Sequence, residues 1–116
     1  MPNVGLTEVT GWDALDGNKV RVINFSNNKL TDAIPAMGTF CKLEILDLSQ
    51  NKFNGSFPTL NTCQNQLWTI NLSGNQLTGP VTYYNLAKLE YFDVRENLLT
   101  GTFPVMFIIH SKTNYN

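Results

Sequence analysis

Histidine occurs once, at His110, and cysteine twice, at Cys41 and Cys63. Two cysteines cannot build a disulfide framework, and lying 22 positions apart with no CxxC or HxxxH spacing they make no metal site. Charge is also scarce: eight basic residues stand against nine acidic ones, a formal net of -1. That balance lacks the basic excess needed to neutralise nucleic-acid phosphates or an anionic membrane surface. Long apolar runs are missing too. The longest, Val105 to Ile109, is five residues, against the roughly 20 that a helix needs to cross a bilayer. The opening Met-Pro-Asn-Val-Gly has neither the basic nor the apolar region of a secretion signal. What the 116 residues hold in excess is asparagine, fifteen against fourteen leucines, and an excess of one polar residue type points to a repeat.

The repeat has a period of 22 to 24 residues. One unit starts at Val20 (Ile23, Phe25, Asn28, Leu30, Ile34, Pro35) and the next at Leu43 (Leu46, Leu48, Asn51, Phe53, Gly55, Phe57, Pro58). A third starts at Leu67 (Ile70, Leu72, Asn75, Leu77, Gly79, Val81) and a fourth at Leu89 (Phe92, Val94, Asn97, Leu99, Gly101, Phe103, Pro104). Period-two alternation at the start of each unit predicts a short strand with its apolar side chains inward. The asparagines at 28, 51, 75 and 97 then fall where an irregular turn passes inside, and each amide can bond backbone groups of its own and the neighbouring coil. A single coil cannot bury its own apolar side, so the coils must stack.

This pattern resembles LxxLxLxxNxLxGxIPxx, the plant-type class of leucine-rich repeats, over Val20 to Met106. The resemblance implies an α/β-class, right-handed leucine-rich repeat solenoid with a short parallel β-sheet on its concave face and few or no regular helices. Asp32 replaces the glycine of the first unit and Pro80-Val81 replaces the apolar-proline pair of the third, so those two loops are expected to deviate. Residues 1–19 read as a degenerate half-repeat that caps the array, with Leu6 aligned to Leu30 and Trp12 packed in the cap. Residues 20–106 form the four repeats. Residues 107–116 are a tail: a fifth coil would begin near Lys112, where leucine is absent, so the array is expected to stop and the end to fray. Val105 to Ile109 can fold back as a partial cap. Related repeats carry a buried cysteine before the first leucine of a unit, which implies packing roles for Cys41 and Cys63. Lying on successive coils they could also bond, against an offset register, since Cys41 precedes Leu43 by two residues and Cys63 precedes Leu67 by four.

Catalytic constellations are hard to assemble. A Cys-His or Ser-His-Asp arrangement would depend on His110 in the tail. Gly74 to Gly79 spells GxxxxG, but Pro80 and Val81 follow where a phosphate loop needs Lys and Ser or Thr. The carboxylate pairs Asp47 with Asp93 and Glu44 with Glu90 recur two coils apart, about 10 Å at a strand spacing near 4.8 Å. The reading is therefore non-enzymatic, with no cofactor and no metal.

The outward strand residues remain. Asn24, Asp47, Asn71 and Asp93 form one column, Val22, Ile45, Thr69 and Tyr91 another, and Ser26, Ser49, Ser73 and Arg95 a third. Arg21, Glu44, Trp68 and Glu90 flank one side and Asn27, Gln50, Gly74 and Glu96 the other. Two arginines against five carboxylates favour a polar or basic partner. Trp68 and Tyr91 are the anchors, because exposed aromatics carry a large share of interface energy. The expected contact residues are Asn24, Glu44, Asp47, Trp68, Asn71, Glu90, Tyr91, Asp93 and Arg95. Four five-residue strands present roughly 300 Å², well below the about 800 Å² per partner of a standard interface. The partner must then reach the flanks, or the array is longer or self-associates.

The function expected is protein or peptide recognition through this face; a structural or assembly piece of a longer receptor or surface protein is the alternative. A homodimer through apolar terminal repeats is a further expectation. Three N-x-S sequons occur, at Asn24, Asn54 and Asn71, but an asparagine-rich repeat generates that triplet by chance, so a secreted or cell-surface parent is favoured by the resemblance alone.

Overall fold

A computed structural model describes residues 4–5, 15–58, 60, 63–81, 88–100 and 112–114. Period-two alternation yields three-residue strands: β1 Val22–Asn24, β2 Ile45–Asp47, β3 Thr69–Asn71, β4 Thr78–Pro80, β5 Tyr91–Asp93, β6 Leu98–Thr100 and β7 Lys112–Asn114. All pairings are parallel. One sheet runs β1-β2-β3-β5-β7, and β4 with β6 makes a second. Among the described residues there is no helix. The chain is thus a solenoid of parallel strands, as the repeat demanded.

Register follows the repeat. Ile23, Leu46, Ile70 and Phe92 lie opposite one another across the first sheet, each buried. Past the strands the main-chain ladder continues, with the N–H of Phe25, Leu48 and Leu72 donating to the carbonyls of Asp47, Asn71 and Asp93. Leu30, Phe53, Leu77, Ile34, Phe57 and Val81 close the core from the other side. In the second sheet the pairing is staggered: Gly79 lies opposite Leu99, two residues short of its repeat equivalent.

Between the sheets runs the asparagine ladder. Asn75 Nδ2 donates to the carbonyls of Leu72 and Ser73 in its own coil (3.1 and 3.3 Å) and of Leu48 in the preceding one (3.0 Å), while its Oδ1 accepts the N–H of Phe53 at 3.0 Å. Asn51 and Asn97 repeat the pattern, accepting from Leu30 and Leu77. Asn28 accepts from Val4 at 3.0 Å. Val4 thus bonds Asn28 as Leu30 bonds Asn51 in the next rung. Leu6, Val9 and Trp12, with Phe103, Val105 to Ile109 and His110, lie outside the described residues, as do the contacts expected of them.

Several expectations are corrected. Asp32 adopts φ +71°, the left-handed conformation of Gly55 (+77°) and Gly79 (+78°), so the first loop keeps the shape of the others; aspartate tolerates that region better than most residues. Pro80 sits in a strand of the second sheet and Val81 is buried in the place of Ile34 and Phe57, so the third loop also stays in register. The sheet does not stop at the fourth unit: Lys112–Asn114 pairs with Tyr91–Asp93. Main-chain ladders need no leucine, and an edge strand offers unpaired N–H and C=O groups to any segment that reaches it.

The cysteines are also not separate packing residues. Cys41 and Cys63 form a disulfide with Cα atoms 5.0 Å apart. The mismatch counted back from Leu43 and Leu67 misleads, because the extra residues of the second unit lie after Cys63. Counted forward from buried Ile34 and Phe57, the cysteines are seven and six residues on, nearly in step. Beside them Gln64, fully buried, donates through Nε2 to the carbonyls of Met37 and Phe40 and locks the same two turns together.

Candidate functional site

In β1, β2, β3 and β5 the buried middle residue is flanked by the two outward columns, which line up from strand to strand through the parallel register. Val22 is 55% exposed and Trp68 41%; Ile45, Thr69 and Tyr91, in the same row as Val22, are half-buried. Trp68 lies between Glu44 and Glu90, its N–H donating to the Glu44 carbonyl and its carbonyl accepting from Glu90. Glu44 is held by Arg21 at 2.9 Å in an exposed pair, while Glu90 is exposed.

The Asn/Asp column makes hydrogen bonds of its own within the coil. Asn71 Oδ1 accepts both the N–H (3.1 Å) and the hydroxyl (2.8 Å) of Ser73, and Asn24 and Asp47 hold Ser26 and Ser49 in the same way. These side chains end each strand by satisfying the donor two residues on. Asp93 does so for Arg95 and is 2% exposed. Its Oδ1 also accepts from Arg95 Nε at 3.1 Å, and its Oδ2 from Arg95 Nη2 at 3.0 Å and the Tyr91 hydroxyl at 3.3 Å. Burial and the adjacent carboxylate push the Tyr91 phenol above its ordinary value, and the bond to Asp93 raises the Arg95 guanidinium. Of the nine expected contact residues, then, Trp68 and Glu90 stand out from the face, Glu44 and Arg95 are exposed or half-exposed but paired, and Asp93 is withdrawn beneath Arg95. Asn24, Asp47, Asn71 and Tyr91 are half-buried.

After the strands the chain turns through a left-handed residue in every coil: Asn27, Gln50, Gly74 and Glu96, with φ between +55° and +69°. At Gly74 a β-carbon would clash with the Gln50 side-chain amide. The glycine therefore lets the Gln50 side chain lie across the turn, where Gln50, Ser73, Arg95 and Glu96 line an open hollow of about 200 Å³. Sequence reading gave no hint of this hollow, although Gly74 interrupting a column of larger residues is its trace. No three His, Cys, Asp or Glu residues converge as metal ligands among the described residues. No described helix is long and apolar enough to cross a membrane.

Residues 42–63 match the Leucine Rich Repeat family model. The Arabidopsis thaliana protein Receptor-like protein 35 is 37% identical over 83 residues, covering 68% of this chain and 9% of that protein. The chain belongs to the plant-type leucine-rich repeat family. The array spans about a tenth of the length of the curated relatives it matches. Among solved structures it superposes on the leucine-rich repeat ectodomain of the receptor kinase SOBIR1 from Arabidopsis thaliana with a TM-score of 0.80 and 27% identity, covering 98% of this chain and 63% of that one. The ectodomain of the plant membrane receptor kinase GASSHO1/SCHENGEN3, also from Arabidopsis thaliana and in complex with CASPARIAN STRIP INTEGRITY FACTOR 2, superposes with a TM-score of 0.78 at 27% identity, covering 96% of this chain and 14% of that one. The repeat domain thus resembles plant receptor ectodomains.

Proposed function

We propose that this repeat array is a non-catalytic recognition module that binds a protein or peptide with basic side chains along its five-stranded sheet. The observation that carries the reading is the charge left after internal pairing. Arg21 is taken by Glu44 and Arg95 by Asp93. Asp47, Glu90 and Glu96 remain, a balance of -3, and Glu90 stands beside exposed Trp68. An indole with carboxylates on the neighbouring strands suits a lysine or arginine side chain, through cation–π attraction and charge complementarity together.

The kinship with a receptor ectodomain solved with a bound partner supports a binding role, and a disulfide supports an oxidising, extracytoplasmic setting. A fifth strand brings the face to roughly 400 Å², still about half of one partner's share in a standard interface. The partner therefore also touches the flanking column from Arg21 to Glu90. A capping role for residues 1–19 is part of this proposal, and it is supported by Val4 donating to Asn28 and by Gly17, where a β-carbon would clash with the Thr39 carbonyl.

An unbiased displayed peptide library panned on the intact chain tests this. Enriched sequences should be rich in Lys and Arg, and their binding should fall at least tenfold in Trp68→Ala and Glu90→Lys while surviving Leu98→Ser on the second sheet. Enrichment without basic residues, or binding indifferent to Trp68 and Glu90, rejects the reading.

A further inference from the structure

The three N-x-S sequons look alike in sequence and differ in the fold. Asn24 and Asn71 lie in the five-stranded sheet, half-buried, and each accepts the hydroxyl of its own sequon serine. Ser26 is 6% exposed and Ser73 9%. The non-sequon Asp47-Leu48-Ser49 makes the same bonds in the same column. The serine two residues after the Asn/Asp position is thus a strand-ending device, and two of the sequons are by-products of it.

Asn54-Gly55-Ser56 belongs to the other side of the coil. Asn54 and Ser56 are both exposed. They form single bridges with Ala33 and Thr78 in the row of the second sheet, and the turn between them is opened by Gly55 at φ +77°. The Asn54 main-chain N–H is used by the Asp32 carbonyl, whereas its side-chain amide makes no hydrogen bond among the described residues. Buried Phe53 and Phe57 point inward on either side, so the Asn54 side chain leaves the coil towards solvent, away from the Trp68 face.

From this we infer that Asn54 is an N-glycosylation site of the chain and that Asn24 and Asn71 are not. In the transfer, Asn54 Nδ2 attacks the anomeric carbon of a lipid-diphosphate-linked oligosaccharide. The new N–C bond forms as the carbon–oxygen bond to the diphosphate breaks, Nδ2 gives up one proton, and the lipid diphosphate leaves. A glycan at Asn54 covers the exposed strand row around Ser56 and Thr78 and leaves the five-stranded sheet clear. One at Asn71 would stand in the middle of that sheet, between Asp47 and Asp93.

The test is to direct the full chain into the secretory pathway of mammalian cells with a heterologous signal peptide, then map occupied sites by peptide N-glycosidase release in heavy-oxygen water and mass spectrometry. Oxidised Cys41 and Cys63 on alkylation confirm that the secreted product is folded. The expected result is a single glycan, at Asn54, lost in both Asn54→Gln and Ser56→Ala. A glycan on Asn24 or Asn71, or a folded product bare at Asn54, overturns the assignment. Because secretion is imposed, neither outcome depends on the recognition function proposed above, which is judged by peptide binding alone.

Discussion

Replacing Asn75 by alanine removes a side chain that is 7% exposed and serves four main-chain groups. The four are not equally harmed. Leu48 O keeps Asn51 Nδ2, Leu72 O keeps Asn97 Nδ2, and Ser73 O keeps the Gln50 N–H. The buried Phe53 N–H has Asn75 Oδ1 as its partner and is left with none. One orphaned buried donor costs about 1–3 kcal/mol and the weakened carbonyls add about 1 kcal/mol more. Asn75→Ala should therefore lose about 2–4 kcal/mol of the roughly 5–15 kcal/mol that a domain of this size has. Asn75→Asp keeps the acceptor for Phe53 but points a carboxylate at three carbonyl oxygens. It should be worse than alanine at pH 7. Its folded-state pKa is then raised, so the penalty is absent below the unfolded value near 4 and grows as pH rises through the folded one. Asn97 makes equivalent bonds but is half-exposed, so water can replace it and Asn97→Ala should cost less than half as much. Urea unfolding followed by circular dichroism, with the disulfide intact, measures all three variants. Equal losses at Asn75 and Asn97, or an aspartate at 75 milder than alanine at pH 7, would refute the ladder argument.

Truncating fully buried Leu48 or Leu72 to alanine should cost about 2–5 kcal/mol in the same urea melts. Reducing Cys41–Cys63, which closes a loop of 22 residues, should lower stability by about 3 kcal/mol, visible as a lower thermal midpoint in reductant. Gly17→Ala brings a β-carbon against the Thr39 carbonyl and should destabilise by more than 1 kcal/mol, whereas Gly79→Ala meets no atoms and suffers only from its positive φ. Because the Tyr91 phenol is raised, its contribution to stability is complete below about pH 10 and declines as pH rises through the folded-state value. An ultraviolet pH titration should show Tyr91 ionising late, and Asp93→Asn should bring it back towards the ordinary value.

Most of the fold was legible because the signals were periodic. Ile23, Leu46, Ile70 and Phe92 recur at one interval with alternating neighbours, and the asparagines recur at another, so strands, inward faces and ladder could all be read by counting. What escaped the count was set by geometry within a turn. Asp32 breaks the glycine pattern yet takes the same φ, because the position demands a left-handed residue and not glycine as such. The disulfide was obscured by an insertion lying between Cys63 and Leu67. Gln64 is a lone polar residue whose burial no pattern announces, and Lys112–Asn114 joins the sheet through main-chain bonds that leave no apolar trace. At the candidate site a residue's register says which column it joins, and only the three-dimensional bonds reveal that Asp93 is buried against Arg95 and that Asn24 and Asn71 hold their own serines. The sequence did carry a hint, since Asn24, Asp47 and Asn71 are each followed two residues later by serine.

The central claim is that recognition takes place on the five-stranded sheet and depends on its residual negative charge. An enriched basic peptide titrated into isotopically labelled protein, followed by amide chemical shifts, tests it most directly. Shifts should concentrate at Val22, Glu44, Trp68, Glu90 and Tyr91 and weaken several-fold between 50 and 300 mM salt, roughly as expected when charge pairs near the surface are screened. Shifts centred on the second sheet around Thr78 and Leu98, or binding unmoved by salt, would contradict it.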